Sequence, residues 1–277
     1  MDFRQKTVLI TGGSSGIGLA TAKLLAAKGA HVWLIARDRA RLERALSEVS
    51  QVYSGDLERC GVVSADVADA RQASAAVAQV VAEVGVPDIV INSAGIVRPG
   101  YIAELDPEVF RRHIEVNYLG TVNVTHAAVT GMIARGSGYI VNISSEGGFL
   151  GVGGYTAYCG SKFAVRGFSE ALRVELRPAG VDVSVVFPSD TDTPQLAAEK
   201  PLRPREVDIL NGGRVLSPES VAAAIVAGIS RRRFLIIPSA ESSFYYWLVG
   251  FLGGLQYPIM DFLVDRARHR ARSQRSN

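Results

Sequence analysis

The chain has 277 residues, 48% of them hydrophobic and 21% charged, which is enough apolar side chain for one large packed domain and excludes global disorder. Two cysteines, Cys60 and Cys159, exclude a disulfide scaffold, and with four scattered histidines they supply no spaced ligand cluster, so no metal is expected. The net charge of +3 includes five arginines between Arg266 and Asn277, and removing them leaves −2 for the rest, so no basic face for nucleic acid is expected.

Apolar runs of strand length occur at Thr7–Ile10, His31–Ala36, Gly61–Ser64, Ile89–Asn92, Tyr139–Ile143, Asp182–Phe187 and Phe234–Pro238. Helix-length stretches separate them at Ile17–Lys28, Arg39–Val49, Ala70–Val84, Glu108–Arg135, Thr156–Arg177 and Pro218–Ser230. The strands are apolar throughout, which suits a parallel sheet covered on both faces. Seven strands alternating with helices predict an α/β, Rossmann-type doubly wound sheet with right-handed crossovers. Ligands in such a sheet bind beyond the carboxyl ends of the strands. One domain is expected over residues 1–240, with a C-terminal appendage over 241–277. Met1 to Lys6 are mostly polar and leave no room for an apolar leader, so a cytoplasmic location is expected.

The first strand runs into T-G-G-S-S-G-I-G, Thr11 to Gly18, followed by a helix. Glycines there let the backbone turn tightly against a pyrophosphate, whose charge meets the helix N-terminus. Gly12, Ser14, Ser15, Gly16, Ile17 and Gly18 are therefore candidate cofactor residues. At the end of the second strand, Ala36 removes the acid that would repel a 2′-phosphate, and Arg37 offers a forked, charged donor for it. With Ser14 nearby, NADPH (NADP+) is the expected cofactor.

Tyr158 and Lys162 stand four apart in Y-C-G-S-K and share one helix face. An ammonium beside a phenol favours phenolate, so Lys162 is expected to lower the Tyr158 pKa towards working pH. Ser145, thirteen residues earlier at the end of a strand, can hydrogen-bond a substrate carbonyl oxygen. Tyr155 is set aside as a catalytic tyrosine because four residues on it meets Cys159, itself expected to be a small buried helix residue.

The G-x-x-x-G-x-G turn, Asp66 after the third strand, Asn92-Ser93-Ala94-Gly95 after the fourth, Asn117 in V-N-Y-L-G, and Ser145, Tyr158 and Lys162 together resemble the short-chain dehydrogenase/reductase family over about residues 5–195. Ser93 is a mild departure, since the family has asparagine there. The resemblance implies an NADP-dependent oxidoreductase acting on a ketone or secondary alcohol. It also implies that Asp66 and Val67 lie at adenine, that Asn92, Ala94 and Gly95 line the cofactor, and that Thr191 or Thr193 after Pro188 meets the nicotinamide carboxamide. Lys162 would hold the nicotinamide ribose alongside Tyr158, and Asn117 would order a water for proton relay. Pairing through the helices carrying Asn117 and Tyr158 implies a homodimer or homotetramer.

Within that family, D-T-D-T-P before Gln195 and F-A-V-R-G-F-S-E-A-L-R after Lys162 resemble the 3-ketodihydrosphingosine reductases. The glycine-rich, apolar stretch between Ser145 and Tyr158 suits a lipophilic ketone, and Gln195–Val215 reads as a lid. The leading expectation is NADPH-dependent reduction of 3-ketodihydrosphingosine, a long-chain keto amine. A 3-ketoacyl thioester, steroid or retinoid is the alternative within the same chemistry. A non-catalytic cofactor-binding scaffold is the alternative of another class, and the intact Ser145, Tyr158 and Lys162 argue against it.

Phe244–Val264 is 21 residues long with Asp261 its only charge, and the arginines follow. Gly250, Gly253, Gly254, Gln256, Pro258 and Asp261 interrupt a clean membrane span. An anchor lying in the membrane surface is expected, with the arginines on anionic headgroups. A tail packed on the core or on a second subunit is the alternative.

Overall fold

A computed structural model describes residues 1–53, 59–204, 207 and 215–273, with side chains as far as 266. Residues 205, 206 and 208–214 of the expected lid and the side chains of the arginine tail beyond Arg266 therefore lie outside the described residues.

Seven parallel strands form one sheet: β1 (Thr7–Thr11), β2 (His31–Ala36), β3 (Gly61–Ser64), β4 (Ile89–Asn92), β5 (Gly138–Ile143), β6 (Val181–Val186) and β7 (Leu235–Ile236). Their order is β3-β2-β1-β4-β5-β6-β7, so the chain reverses direction across the sheet between β1 and β4. That switch opens a crevice at the carboxyl ends. Alternate side chains of each strand divide between the two faces. Val8 and Ile10 of β1 join helices α1 (Gly16–Ala26), α2 (Arg39–Ser50) and α8 (Pro218–Ser230) in one core. Leu9 enters the other core with α3 (Ala70–Val84), α5 (Gly120–Arg135) and α6 (Thr156–Leu176). Burying each such leucine or isoleucine contributes about 1.5–3 kcal/mol.

The helix expected over Glu108–Arg135 is divided. Helix α4 (Pro107–His113) starts at the Asp106 cap, a π-helical segment covers Ile114–Leu119, and α5 follows. The bulge holds Asn117, whose amide makes two bonds with the Ile96 backbone, 2.7 Å to the N–H and 3.0 Å to the carbonyl. A contact across 21 residues is thus met where the helical repeat is broken. The last strand is shorter than its apolar run, covering Leu235–Ile236.

Helix α7 (Pro194–Glu199) and the turn Lys200–Leu202 open the segment expected to be a lid. After β7, α9 (Ala240–Leu252), a short 3-10 turn at Gly253–Leu255 and α10 (Gln256–Ser273) complete the described chain. The stretch Ala240–Arg266 is long and apolar enough to cross a membrane, and its most apolar stretch is not buried in the protein. Gly253 interrupts it at φ +52°.

Candidate active site

A cavity of about 560 Å³ opens along the carboxyl ends of β1 to β6. Its cofactor-sized half is built from backbone at the glycine turn. Gly12 has φ +66°, and a Cβ there would stand 2.8 Å from the Ala94 nitrogen. At Gly18 it would stand 2.4 Å from the Gly12 carbonyl oxygen. Ser15 caps α1 without using its side chain, so no side-chain oxygen takes the first-turn N–H groups that a pyrophosphate would occupy. The donor set therefore fits a dinucleotide.

Ser14, Ser15, Gly16, Ile17, Arg37, Asp66, Val67, Ala94, Gly95, Pro188, Thr191 and Thr193 all line this cavity. Asp38, which follows Arg37, directs its carboxylate to capping α2, accepting from the Arg41 N–H at 3.0 Å. Arg41 also lines the cavity and pairs with Asp38 at 3.5 Å, so two arginines flank the end of β2. Thr193 caps α7, accepting from the Leu196 N–H at 3.2 Å. Its methyl lies 3.0 Å from where a Gly16 Cβ would be, which packs the β6 loop onto the glycine turn.

Ser145, Tyr158 and Lys162 converge in the other half. Ser145 caps a 3-10 turn, accepting from the Gly147 N–H at 3.2 Å, and its hydroxyl is near enough to the Tyr158 phenol to act on its pKa. The Lys162 ammonium stands 5.7 Å from the Tyr158 ring centre and donates to the Ile143 carbonyl at 2.9 Å. Ser144 faces away from the cavity centre, bonding the Lys162 carbonyl at 2.9 Å.

Electrostatics here differ from the expectation that Lys162 would lower the phenol. Burial pushes the Tyr158 pKa above the ordinary tyrosine range, with the Ser145 hydroxyl the opposing influence and the Glu199 and Asp190 charges adding to the rise. Lys162 is pushed down to about 8 by the same loss of water. Desolvation outweighs mutual attraction in this pocket, and Tyr158 is held protonated, the form a proton donor requires.

Two expected site residues stand behind the wall. Asn92 is buried with its amide donating to Thr125 at 3.0 Å and Asn142 at 2.9 Å, which ties β4 to β5 and α5. Asn117 supports the loop after β4 through Ile96 and donates to Ser161 at 2.9 Å, one residue before Lys162. Conversely, Tyr155 lines the cavity although its spacing excluded it from the catalytic pair. Its hydroxyl donates to Glu199 at 3.1 Å, and Glu199 pairs with Arg203, which also pairs with Asp190 at 2.5 Å. The i,i+4 spacing of Glu199 and Arg203 was visible in the sequence, but its partners lie far along the chain. Cys159 is buried, and burial raises its thiol pKa, as a packing residue requires.

Residues 6–203 match the family model described as short chain dehydrogenase. The chain belongs to that family. As a short-chain dehydrogenase it is an NAD(P)-dependent oxidoreductase. It is 40% identical to 3-dehydrosphinganine reductase of Danio rerio, over 79% of this chain and 67% of that protein. Among solved structures, a short-chain dehydrogenase/reductase of Burkholderia phymatum in complex with NAD matches with TM-score 0.82 and 25% identity, covering 92% of this chain and 96% of that one. Actinorhodin polyketide ketoreductase with NADPH matches with TM-score 0.75 and 31% identity, covering 84% and 95%.

Proposed function

We propose that this short-chain dehydrogenase reduces a long-chain ketone with NADPH, and that its substrate is 3-ketodihydrosphingosine, also called 3-dehydrosphinganine. The observation that carries the chemistry is the meeting of Ser145, Tyr158 and Lys162 at one end of a cavity whose other end is the glycine turn with Arg37 and Arg41. The substrate follows from the Danio rerio relative; of the apolar stretch expected to face it, Val152 lines the cavity, whereas Phe149 packs on Phe187 and Tyr246.

NADPH, when bound, supplies the hydride that reaches the carbonyl carbon. Ser145 donates a hydrogen bond to the carbonyl oxygen and fixes its position. Tyr158, protonated through its burial, passes its proton to that oxygen as negative charge develops. Lys162 faces the resulting phenolate with its ammonium and holds the ribose. Asn117 acts as a positioning residue through Ile96 and Ser161, next to the loop and helix that carry Gly95 and Lys162. Arg37 and Arg41 grip the 2′-phosphate, and Asp66, Val67, Ala94, Gly95, Pro188, Thr191 and Thr193 shape the remaining cofactor wall.

The C-terminal helices support a membrane-surface location for this reading. Phe244, Trp247, Phe251, Tyr257 and Phe262 are exposed, whereas Tyr246 turns inward and packs on Phe149 and Phe187 at ring separations of 5.1 and 5.7 Å. The exposed set belongs in a cytoplasmic membrane surface, from which a lipid ketone reaches the site without crossing water. A homodimer or homotetramer through the helices holding Asn117 and Tyr158 completes the proposal.

Purified protein should oxidise NADPH with 3-ketodihydrosphingosine and outperform NADH in kcat/KM. Replacing both arginines, Arg37→Ala with Arg41→Ala, should erode that preference by roughly 10- to 100-fold, the value of a lost charge-assisted contact. Equal use of both cofactors by the unmutated enzyme overturns the NADPH assignment. Rates that do not rise with alkyl chain length, or a clear preference for a 3-ketoacyl thioester, steroid or retinoid, overturn the substrate.

A further inference from the structure

Helix α4 ends in a histidine that the mechanism above does not use. His113 is 1% exposed, and both of its ring nitrogens meet backbone groups. Nε2 accepts from the Arg98 N–H at 3.1 Å, and since an amide can only donate, this nitrogen carries no proton. Nδ1 lies 2.7 Å from the Val109 carbonyl, which can only accept, so the ring proton sits there. The two bonds select one neutral tautomer and fix the plane of the ring. The Tyr158 ring stands 6.4 Å from it at 86°, an edge-to-face contact.

Arg98 belongs to the loop after β4, two residues beyond Ile96, which Asn117 holds through both its N–H and its carbonyl. His113 and Asn117 thus grip alternate residues of that loop. Val97, between the two gripped residues, lines the cavity and packs with Val152 and Tyr158 around Tyr155 and Cys159. One buried ring therefore touches the proton donor and also holds the stretch of cavity wall packed beside it.

We propose that His113 is a positioning residue for the reduction, its neutral ring holding Tyr158 and the Val97 loop in the geometry in which the proton is passed. The inference rests on the reading of Tyr158 as proton donor and adds the residue that sets its orientation. Burial lowers the His113 pKa below the ordinary histidine range, with the Val109 bond opposing and the Lys162 charge adding to the fall. Nε2 is therefore an acceptor at neutral pH. From α6 the ring faces Lys162 and Tyr158, from the loop the Arg98 N–H, and on its own helix the Val109 carbonyl. Protonation would set an N–H of the ring against the Arg98 N–H and add a second cation near Lys162, so the loop would be released.

The test follows kcat for 3-ketodihydrosphingosine with NADPH, NADPH affinity by fluorescence, and melting temperature, all in full-length enzyme. His113→Leu should lose roughly 10- to 100-fold in kcat at a temperature where it is fully folded, with NADPH affinity within about threefold. His113→Gln, whose amide oxygen can accept from the Arg98 N–H, should keep most of the unmutated kcat. His113→Phe, which keeps a ring and loses both bonds, should resemble His113→Leu. Lower melting temperatures with unchanged kcat in all three variants overturn the inference. So does rescue by His113→Phe and not by His113→Gln, because ring volume would then be the whole requirement. Where His113→Leu does not fold, the pH profile of His113→Gln decides. The unmutated kcat should fall on the acid side, below the ordinary histidine range, as Nε2 gains a proton, and His113→Gln should lack that fall; identical profiles overturn the inference. Tyr158→Phe is measured alongside. Turnover retained in that variant, or absent from the unmutated enzyme, overturns the reading of the site itself and is thereby told apart from failure at His113 alone.

Discussion

Lys162 carries its ammonium into a buried position, donates to the Ile143 carbonyl at 2.9 Å, and has its pKa pushed down to about 8 by that burial. In the unfolded chain the same group titrates near the ordinary lysine value of 10.5. Between about 8 and 10.5 the unfolded state therefore binds more protons, and stability rises with pH across that window; below it the whole penalty is present. The penalty is on the order of 3 kcal/mol. The lost bond to Ile143 offsets about 1 kcal/mol of any gain from removing the charge. Lys162→Met should accordingly melt several degrees higher at pH 7, with the gain shrinking at pH 10, while turnover is lost. A variant that is less stable at both pH values would show that desolvation does not dominate at this lysine. For Tyr158 the expectation concerns rate alone. Tyr158→Phe removes the proton donor, so kcat should fall by about 10²–10⁴-fold with NADPH affinity within about threefold. Retention of more than about a tenth of kcat, measured alongside a fluorescence titration of NADPH, would move the donor elsewhere, with Tyr155 the nearest candidate phenol.

The glycine turn and α1 illustrate how an element is shaped for a ligand at its own expense. Alanine in a helix interior is ordinarily better than glycine by about 1 kcal/mol. At Gly18 that preference is reversed, because a Cβ would stand 2.4 Å from the Gly12 carbonyl oxygen, which is backbone and cannot swing aside. Gly18→Ala should lower the melting temperature and weaken NADPH binding by at least tenfold. Gly167→Ala on the open face of α6, where a Cβ meets nothing within 4 Å, should hold or raise the melting temperature. If both substitutions behaved alike, close backbone approach would not be the reason for the glycine. This turn was legible in the sequence because its glycine spacing lies within eight residues, Thr11 to Gly18, although Ala94 and Thr193, which close on it, do not. The π segment at Ile114–Leu119 was not, because it depends on Asn117 meeting Ile96, and apolar periodicity carries no trace of a single polar contact. For the same reason Tyr155 was discounted on its i,i+4 neighbour, when its partner is Glu199, 44 residues away.

Across the whole molecule the strands, their parallel pairing and the placement of site residues after them could be read from apolar runs, since a sheet covered on both faces imprints itself on composition. The C-terminal helices could be read only in part. Their apolar character was plain, but the division into one inward ring and many outward ones is a property of the folded surface. Tyr246 stacks on Phe187, packs edge-on against Phe149 and lies under Arg166 at 5.5 Å, so the start of α9 packs against the residue that ends the turn after Ser145. Ending the chain before α9 would thus disturb the catalytic turn as well as any anchor. A sharper experiment changes only outward residues. Phe251 is 89% exposed and Phe262 65%, on two different helices, and neither is among the rings packed around Tyr246. Each ring transferred from water contributes about 1.5–3 kcal/mol, so Phe251→Ser with Phe262→Ser should weaken vesicle binding by roughly 100-fold or more. Turnover of a water-soluble ketone should persist, because Tyr246 still packs on Phe149 beside the Ser145 turn. Co-sedimentation with anionic and zwitterionic vesicles over a salt series is the measurement. The unmutated protein should prefer anionic vesicles and lose part of that preference as salt screens the arginines, keeping the ring-driven part. Unmutated protein that remains in the supernatant with anionic vesicles at low salt would assign the outward rings of α9 and α10 to another copy of the chain, and a concentration-dependent mass would then follow.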